Sequence, residues 1–131
     1  MIILDTSFIV SYFNTRDQNH SKAVRLMKKI HEPLCITDDI FGEVVTVSLI
    51  RLKSLDRASK IGEILLKSSK MINVEKTSFD GAWDIFCKQK GTVLSFTDCT
   101  TISVMLENNI EKIATFDGDF EKIRGIEVVD T

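Results

Sequence analysis

Short apolar runs alternate along this chain with longer segments whose apolar residues recur at helical spacing. Ile2-Ile3-Leu4 predicts a buried strand almost at the first residue. Asp5-Thr6-Ser7 brings helix-capping chemistry, Phe8 to Phe13 predicts a brief apolar helix, and Asn14 to Asn19 is a polar loop. From His20 to His31 the pattern is amphipathic. Ala23, Val24, Met27 and Ile30 share one face, while Lys22, Arg25, Lys28 and Lys29 fall largely elsewhere. Pro33 ends that helix and introduces Leu34-Cys35-Ile36 as a second strand.

Thr37 or Asp38 caps the next helix, with Ile40, Val44 and Val47 on one stripe and Phe41, Val45 and Leu49 on the adjoining one. That helix is apolar around most of its girth, so it is expected to be buried, with Glu43 in its midst. A helix from Ser54–Asp56 to about Lys67 precedes a third strand, Met71 to Val74. Thr77-Ser78 caps a helix with Phe79, Trp83 and Phe86 as expected core anchors, broken at Gly91. Ser95 caps the helix that stops at Asn108-Asn109. Lys112 to Thr115 predicts the fourth strand, a short helix follows a turn at Asp117, and Ile126 to Val129 predicts the fifth. Such β-α alternation argues for an α/β fold, a parallel sheet with helices on its faces. With no repeat, linker or low-complexity stretch, residues 1–131 read as one domain.

Composition narrows the class. A content of 44% hydrophobic and 27% charged residues suits a globular chain able to bury a core. The 17 Lys+Arg nearly balance 19 Asp+Glu, so total charge neither announces nor excludes nucleic acid, which responds to the local field. Cys35, Cys87 and Cys99 make an odd count without a CxxC pair. They read as small buried hydrophobes in a reducing compartment, and a cytoplasmic location is expected. No basic segment precedes the first apolar run, which Asp5 interrupts, and no run approaches a membrane span.

The acids carry the chemistry. Asp5 follows the first strand, Asp98 opens the helix after Val93-Leu94, and Asp117 follows the fourth strand within Thr115-Phe116-Asp117-Gly118-Asp119-Phe120. Glu43 stands in the helix leaving the second strand. Each has an ordinary alternative: Asp5 as a cap, Asp98 as the acid of a capping box with Ser95, Asp117 and Asp119 as turn residues, Glu43 as the partner of a buried Arg. Together, in parallel topology, they come to one rim of the sheet. Carboxylates gathered there repel unless cations or protons neutralise them. An all-oxygen set without His or Cys suits hard divalent ions, Mg2+ or Mn2+.

Ile3-Leu4-Asp5-Thr6-Ser7, Ile36-Thr37 through Glu43, Phe96-Thr97-Asp98-Cys99 and Ala114-Thr115-Phe116-Asp117-Gly118-Asp119-Phe120 resemble, in order, the PIN domain, and within it the VapC-type toxin ribonucleases of toxin–antitoxin pairs. The resemblance implies a three-layer fold on a central parallel five-stranded sheet. It also implies Mg2+- or Mn2+-dependent RNA cleavage, homodimerisation and inhibition by a small antitoxin. It places Asp5, Glu43, Asp98 and Asp117 in the acidic positions, with Asp119 as an alternative fourth acid and Thr6 and Thr115 as supporting hydroxyls. A non-catalytic PIN-like binding module, or an RNA-processing nuclease without an antitoxin, is the alternative. A phosphoryl-accepting receiver domain would want an acidic pair after the first strand, and a haloacid-dehalogenase-like phosphatase a second Asp at position 7. This chain has Thr6 and Ser7 there.

Overall fold

The computed structural model describes residues 1–130. Five strands, β1 (Ile2–Leu4), β2 (Leu34–Thr37), β3 (Lys70–Ile72), β4 (Lys112–Ala114) and β5 (Glu127–Val128), form one sheet in the order β3-β2-β1-β4-β5. Every pairing is parallel. The helices are α1 (Thr6–Phe13), α2 (His20–Lys29), α3 (Asp38–Leu52), α4 (Leu55–Ser68), α5 (Lys76–Lys88) and α6 (Phe96–Glu107). A single 3-10 turn covers Gly118–Lys122.

The chain grows outward from β1 to β3, then crosses back to β4 on the other side of β1. Right-handed crossovers place α1 to α4 on one face and α5 and α6 on the other. The strand order reverses between β1 and β4, whose register pairs Leu4 with Ala114. Ligands of open α/β sheets bind outside the carboxyl ends of the strands at such a reversal.

Ile2, Ile3, Ile36 and Ile113 of the sheet pack with Phe8, Ile40, Val44, Ile102, Met105 and Phe120 in one core. Which helix is deepest differs from expectation. In α3 only Ile40, Val44 and Ser48 are buried, and Leu49 and Ile50 are exposed. The sequestered helix is α6, where Cys99 to Met105 are buried without interruption. Thr100 and Thr101 enter the interior because their hydroxyls donate to the Thr97 carbonyl, at 2.7 and 3.0 Å.

The aromatic stripe of α5 is also corrected. Phe79 and Trp83 are 52% and 57% exposed, and Phe86 is exposed too. With Phe96 they form a surface aromatic cluster, Trp83 stacked on Phe86 at 5.8 Å and Phe79 edge-on to Phe96 at 5.1 Å. Small residues face inward instead: Ser78 and Ala82 are buried, and a Cβ at Gly81 would stand 2.5 Å from Ser103 Oγ. The helix approaches α6 closely because residue 81 has no side chain. Helix α5 also begins earlier than Thr77-Ser78 suggested, with Glu75 at its N-cap. The cysteines are all free, Cys35 and Cys99 buried as expected and Cys87 exposed. Among the described residues, no helix is long and apolar enough to cross a membrane.

Candidate active site

Each acid is delivered by the end of an element. The Asp5 amide donates to the Ala114 carbonyl, so the chain just past β1 is pinned to β4. Asp5 stands at the N-cap of α1 but makes no capping hydrogen bond with its side chain. Its Oδ2 instead accepts from Thr115 Oγ1 at 2.7 Å and from Ser7 Oγ at 3.0 Å. Ser7 and Thr115 hydroxyls lie 3.2 Å apart, Ser7 Oγ accepts the Phe116 amide at 3.0 Å, and Thr115 Oγ1 accepts the Asp117 amide at 3.0 Å. Two hydroxyls therefore lock the ends of β1 and β4 together and fix one face of the carboxylate.

Asp98 both caps a helix and lines the cavity described below. It completes a capping box: Ser95 Oγ accepts the Asp98 amide at 3.1 Å, and Asp98 Oδ2 accepts the Ser95 amide at 2.9 Å. Capping holds the carboxyl at the mouth of α6 in one orientation, which is also what a ligand site requires. Asp117 Oδ1 caps the 3-10 turn by accepting the Asp119 amide at 2.9 Å. Glu43 lies on the half-buried face of α3, and among the described residues it forms no ion pair.

Asp5, Glu43, Asp98 and Asp117 line one open cavity of about 380 Å³, together with Thr6, Ser7, Val10, Ser11, Asp17, Val47 and Arg51. Electrostatics register the crowding. Asp5 is 5% exposed, and burial pushes its carboxyl up to about 6, with the Asp98 charge adding and the Thr115 and Ser7 hydrogen bonds opposing. Asp98 is raised by burial first, then by Asp117 and Glu43, against its bonds to Ser95.

Asp119 is not brought to this cavity. Its Oδ2 accepts the Val93 amide at 2.9 Å and its Oδ1 the Lys122 ammonium at 3.2 Å, and these hold its pKa below the usual range. Asp119 ties the loop before α6 to the 3-10 turn. Thr115 donates its hydroxyl to Asp5. Thr6 lines the cavity with its hydroxyl buried and without a hydrogen-bond partner. Sequence reasoning took Ser7 only as capping chemistry. Its spacing two residues after Asp5 is the one local signal, and its partners on β4 were invisible in the sequence.

The donor set fits a hard divalent cation: all oxygen, in excess negative charge, with an orphaned Thr6 hydroxyl beside it. Among the described residues, no three Asp, Glu, His or Cys side chains close into a ready-made cage. An open site suits Mg2+, which keeps several waters and takes one or two carboxylates directly.

The PIN domain family model matches residues 2–126, and the chain belongs to that family. Among solved structures it is similar to VapC20 of Mycobacterium tuberculosis, described as a sarcin-ricin loop cleaving toxin. The TM-score is 0.91 and the identity 26%, with all of both chains covered. It shares its fold with VapBC2 of Rickettsia felis bound to a promoter DNA fragment, at TM-score 0.75, 17% identity and coverage of 100% of this chain and 99% of that one. A toxin–antitoxin complex from Klebsiella pneumoniae gives TM-score 0.74 and 18% identity, over 98% of this chain and 96% of that one. No curated protein matches the sequence significantly.

Proposed function

We propose that this chain is a divalent-metal-dependent endoribonuclease, acting on single-stranded or loop RNA as the toxin of a toxin–antitoxin pair. The observation that carries the reading is the convergence of Asp5, Glu43, Asp98 and Asp117 on one cavity at the reversal of the strand order. Similarity to a loop-cleaving toxin supports the substrate class, and similarity to toxin–antitoxin complexes supports a small antitoxin as partner.

Asp5 and Asp98 are the proposed principal holders of Mg2+ or Mn2+, with Asp117 completing the set directly or through water. A bound ion supplies an activated water and neutralises charge developing on the phosphodiester. The protein's own part is positioning. Thr115 and Ser7 fix Asp5, Ser95 fixes Asp98, and the turn at Asp119 fixes Asp117. Glu43 orients the attacking water and accepts its proton. The amino ends of α1 and α6 open beside the same cavity and favour a phosphate there.

Attack by water leaves a 5′-phosphate and a 3′-hydroxyl. Cleavage of a hairpin RNA in Mn2+, blocked by EDTA, with ends analysed chemically, tests the reading. Products ending in a 2′,3′-cyclic phosphate, or full activity in EDTA, would exclude it.

The protein is proposed to act in the cytoplasm and as a homodimer. Phe8, Ile9 and Val10 are buried within the chain and offer no surface to a second copy. The apolar surface a second copy could cover lies on α5, at Phe79, Trp83 and Phe86, and along α3 and α4, at Ile50, Leu55 and Leu66. Light scattering at micromolar concentration tests this, and monomer alone counts against it.

A further inference from the structure

We propose that Arg51 holds a backbone phosphate of the RNA next to the scissile one. This inference rests on the nuclease reading and extends it to the path of the strand.

Glu43, Val47 and Arg51 follow one another at i, i+4 and i+8 on α3, and all three line the acidic cavity. Arg51 is the only Lys or Arg among the lining residues. It is exposed, and among the described residues it forms neither an ion pair nor a side-chain hydrogen bond, although Asp5, Asp17, Glu43, Asp98 and Asp117 line the same cavity. Arg51 stands in the last turn of α3, where a cation is favoured by the helix dipole. Without an ion pair or side-chain hydrogen bond, its fork of N–H donors is uncommitted at the edge of the cavity, and such a fork matches two phosphate oxygens.

Geometry decides which phosphate. Eight residues of helix separate the Cα atoms of Glu43 and Arg51 by about 12 Å along the axis. Helical side chains lean toward the amino end, which brings Arg51 partway back toward the acids but not onto them. A phosphate held by the carboxylate end of the cavity is out of its reach, and a neighbouring phosphate is within it. Arg51 is thus a binding residue. It contributes equally to the bound RNA and to the transition state, and its loss appears in KM and not in kcat.

The experiment compares wild type, Arg51→Gln and Arg51→Lys in Mn2+ on one hairpin RNA. The RNA is used natural and as a set with a single uncharged methylphosphonate at successive positions around the cut. Arg51→Gln is expected to melt with the wild type. Its KM should rise about tenfold with kcat within about twofold. The slope of log affinity against log salt should fall by about 1. Arg51→Lys, which keeps the charge but not the fork, should restore the salt slope while recovering only part of the KM. One flanking methylphosphonate should cost the wild type what Arg51→Gln costs, and should cost Arg51→Gln nothing further. Unchanged KM and salt slope in Arg51→Gln, a loss falling on kcat, or additive losses at every methylphosphonate position would each overturn the assignment while leaving the nuclease reading intact. A wild type that cuts no RNA would overturn both.

Discussion

Replacing Asp5 with Asn should make the metal-free protein more stable at neutral pH, and less so as the pH falls. In the folded chain Asp5 titrates at about 6, against an ordinary value of 3.8. The folded state thus binds the proton more tightly than the unfolded one. Its contribution is fully favourable below about pH 4 and is lost as pH rises through 6. The shift of about 2 units corresponds to about 3 kcal/mol, undiscounted because the side chain is buried. Asn cannot ionise, so it escapes that penalty. Its amide oxygen in the place of Oδ2 still accepts both the Thr115 and Ser7 hydroxyls, but as a neutral and weaker acceptor, a cost of about 1 kcal/mol. The net gain in EDTA at pH 7.5 is about 2 kcal/mol, or roughly 5–8 °C in Tm for a domain of this size. At pH 4 the difference should vanish or reverse. Adding Mn2+ should raise the wild-type Tm and leave Asp5→Asn almost unmoved. Thermal melts across pH with and without Mn2+ measure all three. An Asp5→Asn protein that is less stable than wild type at every pH, or equally stabilised by Mn2+, would refute the reasoning.

Other substitutions probe single contacts. Thr115→Val removes a donor to Asp5 and an acceptor for the Asp117 amide, and should cost about 2–3 kcal/mol by urea denaturation. It should also move the pH midpoint of Mn2+ stabilisation upward, since that hydrogen bond lowers the Asp5 pKa. Asp119→Asn should cut RNA at close to the wild-type rate, because its carboxylate serves Val93 and Lys122 outside the cavity; a loss as deep as that of Asp117→Asn would reassign the fourth acid. Trp83→Ala should cost no more than about 1.5 kcal/mol, the worth of an exposed stacked pair, whereas a core tryptophan would cost about 3–5 kcal/mol.

The architecture was largely legible because it rests on local signals. Strand ends, caps and the sole proline mark the alternation, and parallel pairing then carries Asp5 and Asp117 to neighbouring positions without further information. Five strands appear close to where the apolar runs predicted, with β3, β4 and β5 shorter than expected and β3 beginning one residue earlier, at Lys70. Depth was not legible. Helix α3 carries enough apolar residues to look buried, but only one stripe of it meets the core. Helix α6 looks polar because of Thr100, Thr101 and Ser103, yet hydroxyls satisfied within their own helix enter the interior cheaply. On α5 the large aromatics suggested the inward face, whereas Gly81 and Ala82 permit the close approach that defines it. The cap of α6 and the candidate site were posed as rivals at Asp98, yet the capping carboxyl also lines the cavity, so the two positions are compatible.

The most direct measurement is RNA cleavage in Mn2+ by Asp98→Asn beside the wild type. Asn keeps an oxygen that can accept the Ser95 amide, so the cap and the melting temperature should hold to within about 1 kcal/mol. The account predicts a folded protein with the capping box intact and cleavage abolished. An Asp98→Asn protein that melts normally and still cuts RNA at the wild-type rate would contradict it.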